Sequence, residues 1–238
     1  MIPWICTLLV ATTYACVGHG GASGYLMVMA LSGVAPEVMK PTALILNVGV
    51  AGLGLVRAVR AKAFDWNVFW PFAVASVPAA FIAAQYKLPP DAYRILLGCV
   101  LVVASVRLLV PVQALETKPP QKPVAMAVGC VVGAVSGLTG IGGGIFLSPI
   151  LVICRWLDVR RTVGVAAAFI VVNSLAALVT QFSHGLRIPP EVYFFGPPAL
   201  LGGVAGSLFG LKESHRKWLI PILGTALMIA AVKLLFVR

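Results

Sequence analysis

Residues 137–149 read GLTGIGGGIFLSP, and Gly140, Gly142, Gly143 and Gly144 crowd a window of five positions. An apolar run precedes them and another follows, with no charged residue between Lys122 and Arg155. Glycine is the most flexible backbone a chain can offer, and it weakens a helix by roughly 1 kcal/mol relative to alanine. Placing four of them in the most hydrophobic part of the chain calls for a reason.

The surroundings narrow the choice. Of 238 residues, 60% are hydrophobic and only 11% charged, and the mean hydropathy is +1.00. A soluble domain carries about 25% charged residues. Apolar stretches recur at 2–17, 22–34, 43–56, 67–86, 95–110, 124–139, 144–154, 163–182, 192–211 and 218–237. Several approach the ~20 residues that cross a ~30 Å hydrocarbon layer, and others are about half that, as half-helices or re-entrant segments would be. Runs such as LLGCVLVVASVRLLV (96–110) do not alternate, which excludes a transmembrane barrel. The expectation is an all-α polytopic membrane protein, multi-pass in the cell's inner (plasma) membrane. The N-terminal MIPWICTLLVATTYAC has no positive n-region and reads as the first membrane segment, not a secretory signal.

The net charge is +11, but the basic residues sit in short clusters between spans: Arg57, Arg60 and Lys62; Arg155, Arg160 and Arg161; Lys212, Arg216 and Lys217. Cytoplasmic loops carry such clusters. No basic patch interleaved with aromatics appears, so nucleic acid is not an expected partner. Cys6, Cys16, Cys99, Cys130 and Cys154 lie in or beside apolar stretches without CxxC spacing, and the three histidines are scattered. These cysteines read as small buried apolar residues. No cofactor and no metal site is expected.

The chain matches itself. Displaced by 126 places, 41–110 runs onto 167–236 without a gap: Gly98 meets Gly224, Pro71 meets Pro197, Asn47 meets Asn173 and Arg107 meets Lys233. The glycine-rich regions match at 120, Gly20 on Gly140 and Gly24 on Gly144. The proline-rich, charged segment PVQALETKPPQKP (111–123) reads as a solvent-exposed linker. Two homologous membrane repeats follow, 1–110 and 124–238. Each has a short segment, a glycine break (HGGASG, 19–24; TGIGGG, 139–144), a second short segment and three longer spans. Five segments per half would invert the second repeat and place the strongly basic loops on one side, the favoured reading, whereas four full spans per half would give parallel repeats with strongly basic loops on both sides. Inverted repeats are a construction of secondary transporters.

The glycines then have a physical reading. Unsatisfied backbone cannot face lipid, so a break at membrane depth is buried in protein or lines a cavity. The helix restarting after it offers free N–H groups and the positive end of its dipole, which favour an anion. Two breaks facing each other would make an anion site from backbone. The competing reading is that the glycines let helices pack closely. A dinucleotide fingerprint would need a strand–turn–helix unit, and Asp158 stands in a basic loop of a membrane chain.

SGLTGIGGGIFLSPIL resembles the signature of the TauE/SafE family, the sulfite-exporter-like permeases formerly called DUF81. Those proteins carry a G-x-G-G-G element with a proline a few residues later, once in each of two related halves. The resemblance covers essentially the whole chain and is strongest over 137–151. The first half departs from it, since HGGASGYLMVMAL lacks the full glycine cluster and the following proline. What the resemblance implies is a permease, usually an exporter, for sulfite, sulfoacetate, an organosulfonate or a related small anion.

The substrate-binding candidates are His19, Gly20, Gly21, Ser23, Gly24 and Asn47 in the first half. Thr139, Gly140, Gly142, Gly143, Gly144, Ser148 and Asn173 are those of the second. Asn47 and Asn173 share one repeat position inside apolar stretches, where a polar side chain faces a partner helix or a cavity. His19 either assists the anion or is solvated at a surface. Ser23, Thr139 and Ser148 either donate to an oxyanion or cap half-helices. Lys40 and Arg161 either attract anions or are ordinary interfacial charges. The expected partners are a small anionic substrate and the lipid bilayer, and a homodimer is compatible with the sequence. No acidic residue lies well inside a span, so no carboxylate relay is visible, and no nucleotide-binding loop is present. The alternative to transport is a membrane-embedded enzyme or assembly partner, and an enzyme would need intramembrane acid–base or metal clusters that the sequence does not display.

Overall fold

The structure is a computed structural model that describes residues 2–16, 20–109, 117–209 and 213–236. Among these residues there are ten helices and no strand. They are α1 (Ile2–Cys16), α2 (Ala22–Leu31), α3 (Pro36–Arg60), α4 (Trp66–Ala84), α5 (Pro90–Leu109), α6 (Lys122–Thr139), α7 (Gly144–Ile153), α8 (Val159–Ser183), α9 (Glu191–Phe209) and α10 (Glu213–Phe236). Each covers one of the apolar stretches. By length and composition Pro36–Arg60, Trp66–Ala84, Lys122–Thr139 and Arg160–Ser183 are able to cross a membrane. The protein is an all-α, multi-pass membrane protein.

Local chemistry sets many of the ends. Asp65 caps α4 by accepting from the N–H groups of Asn67 and Val68, at 3.1 and 3.2 Å. Asp158 accepts from Arg161 N at 2.9 Å at the start of α8. Both satisfy N–H groups that the first helical turn leaves open. Several boundaries differ from expectation: α3 runs on through Arg57 and Arg60 and α8 begins before Arg160 and Arg161, so these basic residues lie in helix ends and not in loops. The basic segment expected as a loop at 212–217 is helical from Glu213, because no proline or glycine interrupts it before Pro221. The first glycine break ends earlier than HGGASG, since α2 already starts at Ala22, directly after Gly21 at φ 87°.

Three of the five corresponding pairs have equal lengths: α2 and α7 have 10 residues each, α4 and α9 19, and α3 and α8 25. Their packing corresponds too, with α6 on α4, α1 on α9, α3 on α8 and α5 on α10 as the main pairs. The pair α4–α6 runs parallel. Gly129, Gly133 and Gly137 press on the backbone of Phe72, Ser76 and Ala80, where any β-carbon would collide. The pair α1–α9 is also parallel, but the glycines are on the other partner: Gly202 meets Leu8 and Gly206 meets Thr12. Small residues that let backbones approach are the usual means of helix association in lipid. The pair α3–α8 is antiparallel, with Gly164 against Ala58 and Ala63, and Gly54 against Ala167. The pair α5–α10 is antiparallel as well, and Ser105 Oγ donates to Gly224 O at 2.7 Å.

The loops sort onto two faces. Arg161 Nη1 lies 3.3 Å from Asp65 Oδ2, Arg160 Nη2 donates to Ala61 O at 3.1 Å, and Lys118 N donates to Arg155 O at 2.7 Å. The basic helix ends and connecting loops over 57–65 and 154–161, and the segment 117–121, therefore share one face. The loops at 85–89 and 184–190 close the opposite one. From the basic face α6 runs inward and α7 returns. From the opposite face α1 runs inward alongside α9 and α2 returns. The two hairpins turn inside the protein, at Gly21 and at Gly140–Gly143.

Candidate functional site

The two turns meet. Gly20 and Gly21, together with Gly140 to Gly144, are all buried. α2 is buried along Ala22–Met29 and apolar on every side, as a helix enclosed by others must be. The first hydrogen bond that closes α2 is Tyr25 N to Gly21 O at 2.9 Å; in α7, Phe146 N and Leu147 N close on Gly143 O, both at 3.1 Å. The N–H groups before these point out of each helix end, and each end carries the positive pole of a helix dipole. Gly143 holds φ 77° as the N-terminal cap of α7, a conformation that an L side chain rarely adopts.

A single cavity is lined from both turns, by Gly20, Gly21, Ala22 and Ser23 on one side and Ile141 and Ile145 on the other. Its volume is about 10 Å³, close to the least that holds one water. Ile170 of α8 separates the turns. A β-carbon at Gly20, Gly142 or Gly144 would lie 3.3, 2.8 or 2.5 Å from it. In this conformation the meeting point of the breaks is closed by aliphatic side chains.

Asn47 joins the halves across this point. Its Nδ2 donates to Ile141 O at 3.1 Å, and a β-carbon at Gly20 would lie 2.7 Å from its Oδ1. Its repeat counterpart behaves otherwise, since Asn173 Nδ2 donates back to Phe169 O of its own helix at 2.8 Å. The side-chain oxygens of both, Asn47 Oδ1 and Asn173 Oδ1, are buried without a partner, as are Ser174 Oγ beside Gly142 and Tyr25 OH beside Gly21.

The other candidates separate. Ser23 Oγ and Tyr14 OH share a hydrogen bond of 2.6 Å. Thr139 Oγ1 donates to Val135 O and Ser148 Oγ to Gly144 O, both at 2.8 Å, so these two hydroxyls bond within their own helices here. Gly140 ends α6 at φ 81° and packs on the backbone of Lys40, away from the shared cavity. Gly24 packs on Val10 and Tyr14, and Gly143 on Phe169 and Val132. His19 lies outside the described residues. Arg161 is held on the basic face by Asp65 and Asp158.

Sequence reasoning missed Tyr14, Tyr25, Tyr93, Ile170 and Ser174. Tyr93 OH donates to Thr139 O at 3.1 Å, capping a carbonyl at the end of α6. At the repeat displacements the three tyrosines fall on Ala134, Ile145 and Leu219, so the self-match could not single them out. The available signal was a phenol inside an apolar stretch, which usually finds a partner when buried.

A glycine-turned pair of half-helices, enclosed by long spans, is a transporter's arrangement. The family described as Sulfite exporter TauE/SafE matches residues 4–234. The chain belongs to the TauE/SafE family. As a TauE/SafE protein it is a membrane transporter and not an enzyme. It is 34% identical over 238 residues, covering 98% of this chain and 96% of the relative, to "Probable membrane transporter protein y4hK" of Sinorhizobium fredii. It is also 23% identical over 254 residues, 96% of each chain, to "Probable membrane transporter protein YjnA" of Bacillus subtilis. No solved structure matches the chain.

Proposed function

We propose that this TauE/SafE protein is a secondary transporter, an exporter in the inner membrane, for a small sulfur-containing anion such as sulfite or an organosulfonate. The observation that carries the proposal is one cavity lined by the first turn and the start of α2 (Gly20 to Ser23) and by Ile141 and Ile145 on either side of the start of α7. Two dipole ends and their open N–H groups favour an anion without a buried cation. Neutral hydrogen bonds contribute about 0.5–1.5 kcal/mol each against 1.5–3 for charged ones, which suits a ligand that has to be released. The substrate class comes from the family's description, Sulfite exporter TauE/SafE. Residues 1–110 and 124–238 act as inverted repeats about this point, a reading supported by the antiparallel pairing of α3 with α8 and of α5 with α10. A cavity of about 10 Å³ is too small for the anion, so binding requires the hairpins to part at Ile170.

The test is flux of labelled sulfite and of methanesulfonate into proteoliposomes holding the purified protein. Saturable flux of either anion, without chemical change, is the expected result. Background leakage for both would overturn the substrate class.

A further inference from the structure

A second cavity lies between the loops at 85–89 and 184–188, on the face opposite the basic loops, with a volume of about 650 Å³. Four basic side chains line it, Lys40, Lys87, His184 and Arg187, against one carboxylate, Glu37. Among the described residues none of the four forms an ion pair with a carboxylate. Lys87, His184 and Arg187 are exposed at the mouth, whereas Lys40 is half-buried. The Lys40 ammonium makes one long contact, 3.5 Å to Ala84 O, and so has donors left over. Its backbone packs on Gly140, the first residue of the second glycine turn, and Tyr93, which holds Thr139 O, lines the same cavity.

A lone cation in a membrane span is costly and calls for a function. Clefts lined by one sign of charge concentrate ions of the other sign. We propose that this vestibule is a separate anion-binding site, with Lys40 at its floor and Lys87, His184 and Arg187 at its mouth. Its ligand is a small sulfonate or sulfur oxyanion, held one step from the glycine turns. The site extends the reading given above, and its test does not depend on flux.

The experiment uses the full chain in liposomes with the native cysteines replaced and Gln85→Cys introduced at the C-terminal cap of α4, within the cavity wall. The thiol is modified by 2-sulfonatoethyl or by 2-(trimethylammonium)ethyl methanethiosulfonate. The anionic reagent should react faster than the cationic one, each relative to its rate with free 2-mercaptoethanol, by about tenfold. Lys40→Gln combined with Arg187→Gln should abolish the preference, and Lys40→Arg should keep it. Methanesulfonate should slow modification at Gln85→Cys in the parent and not in the double variant. Equal normalised rates for the two reagents, or protection that survives Lys40→Gln with Arg187→Gln, would overturn the proposal. Because the readout is chemical accessibility, a protein that moves no sulfite still reports on the vestibule.

Discussion

The Asn47 side chain of α3 donates Nδ2 to the carbonyl oxygen of Ile141 at 3.1 Å, tying a long span of the first half to the glycine turn of the second. A carbonyl inside a turn has no helical partner, so this bond satisfies a group that lipid would leave open. Asn47→Ala should lower stability by about 1–2 kcal/mol by orphaning that carbonyl, and should reduce transport. Asn173→Ala should do much less, because its side chain bonds only Phe169 O, a carbonyl four residues back inside the same helix α8. Detergent melting curves and flux assays on the two variants check this. Equal losses would mean that the repeat position, not the bond to Ile141, is what matters.

The glycines of 129–144 divide by role. At Gly143 a β-carbon would lie 2.7 Å from Phe169 Cε1, and the backbone sits at φ 77°. Gly143→Val should abolish transport while the chain still inserts. Gly133→Val should instead separate α6 from α4, where the β-carbon collides with Ser76 backbone, and lower the yield of folded protein. Fluorescence size-exclusion profiles beside flux would distinguish them; a monodisperse, inactive Gly133→Val would contradict the division.

Ile170 touches both turns and lines the cavity between them. Ile170→Ala should cost about 2–4 kcal/mol, as large-to-small changes at buried sites do. It should also widen the range of anions accepted, or add a leak, because the closed state loses its plug. Competition by a series of alkylsulfonates of increasing length measures this. An unchanged length cutoff would reduce Ile170 to simple packing.

Residues 57–65 and 154–161 lie together, tied by Arg161–Asp65 at 3.3 Å. From their basic excess we propose that both face the cytoplasm. Native Cys154 and an introduced Ala61→Cys should label only from inside, and Gln85→Cys and His184→Cys only from outside, in right-side-out vesicles treated with an impermeant maleimide. Labelling of Cys154 and Ala61→Cys from opposite sides would refute the arrangement.

Much of the architecture was legible because it is local. Each apolar stretch must satisfy its own backbone in lipid, and only a helix does so within one segment. Ten apolar stretches therefore anticipated ten helices among the described residues, and clustered glycine marked where α6 had to stop. The restart of α2 was harder to place, since Ala22, Ser23 and Gly24 sit inside the expected break yet are helical. The start of α10 was misplaced for a similar reason: Glu213–Lys217 look like a loop by charge, yet nothing in them breaks a helix.

By itself, then, the sequence determined the helical class, the breaks and the distribution of charge, each set by neighbours along the chain. Only the tertiary structure decided which side chains meet. The parallel α4–α6 and antiparallel α3–α8 crossings bring Asn47 to Ile141, set Ile170 between the turns and point Asn173 back to its own helix. Two asparagines at one repeat position were thus given different partners. The vestibule collects Lys40, Lys87, His184 and Arg187 from three separate segments of the chain. The physical reason is that a side chain's partners depend on the angle and depth at which helices cross, which depend in turn on every glycine contact between them. No window of residues contains that information.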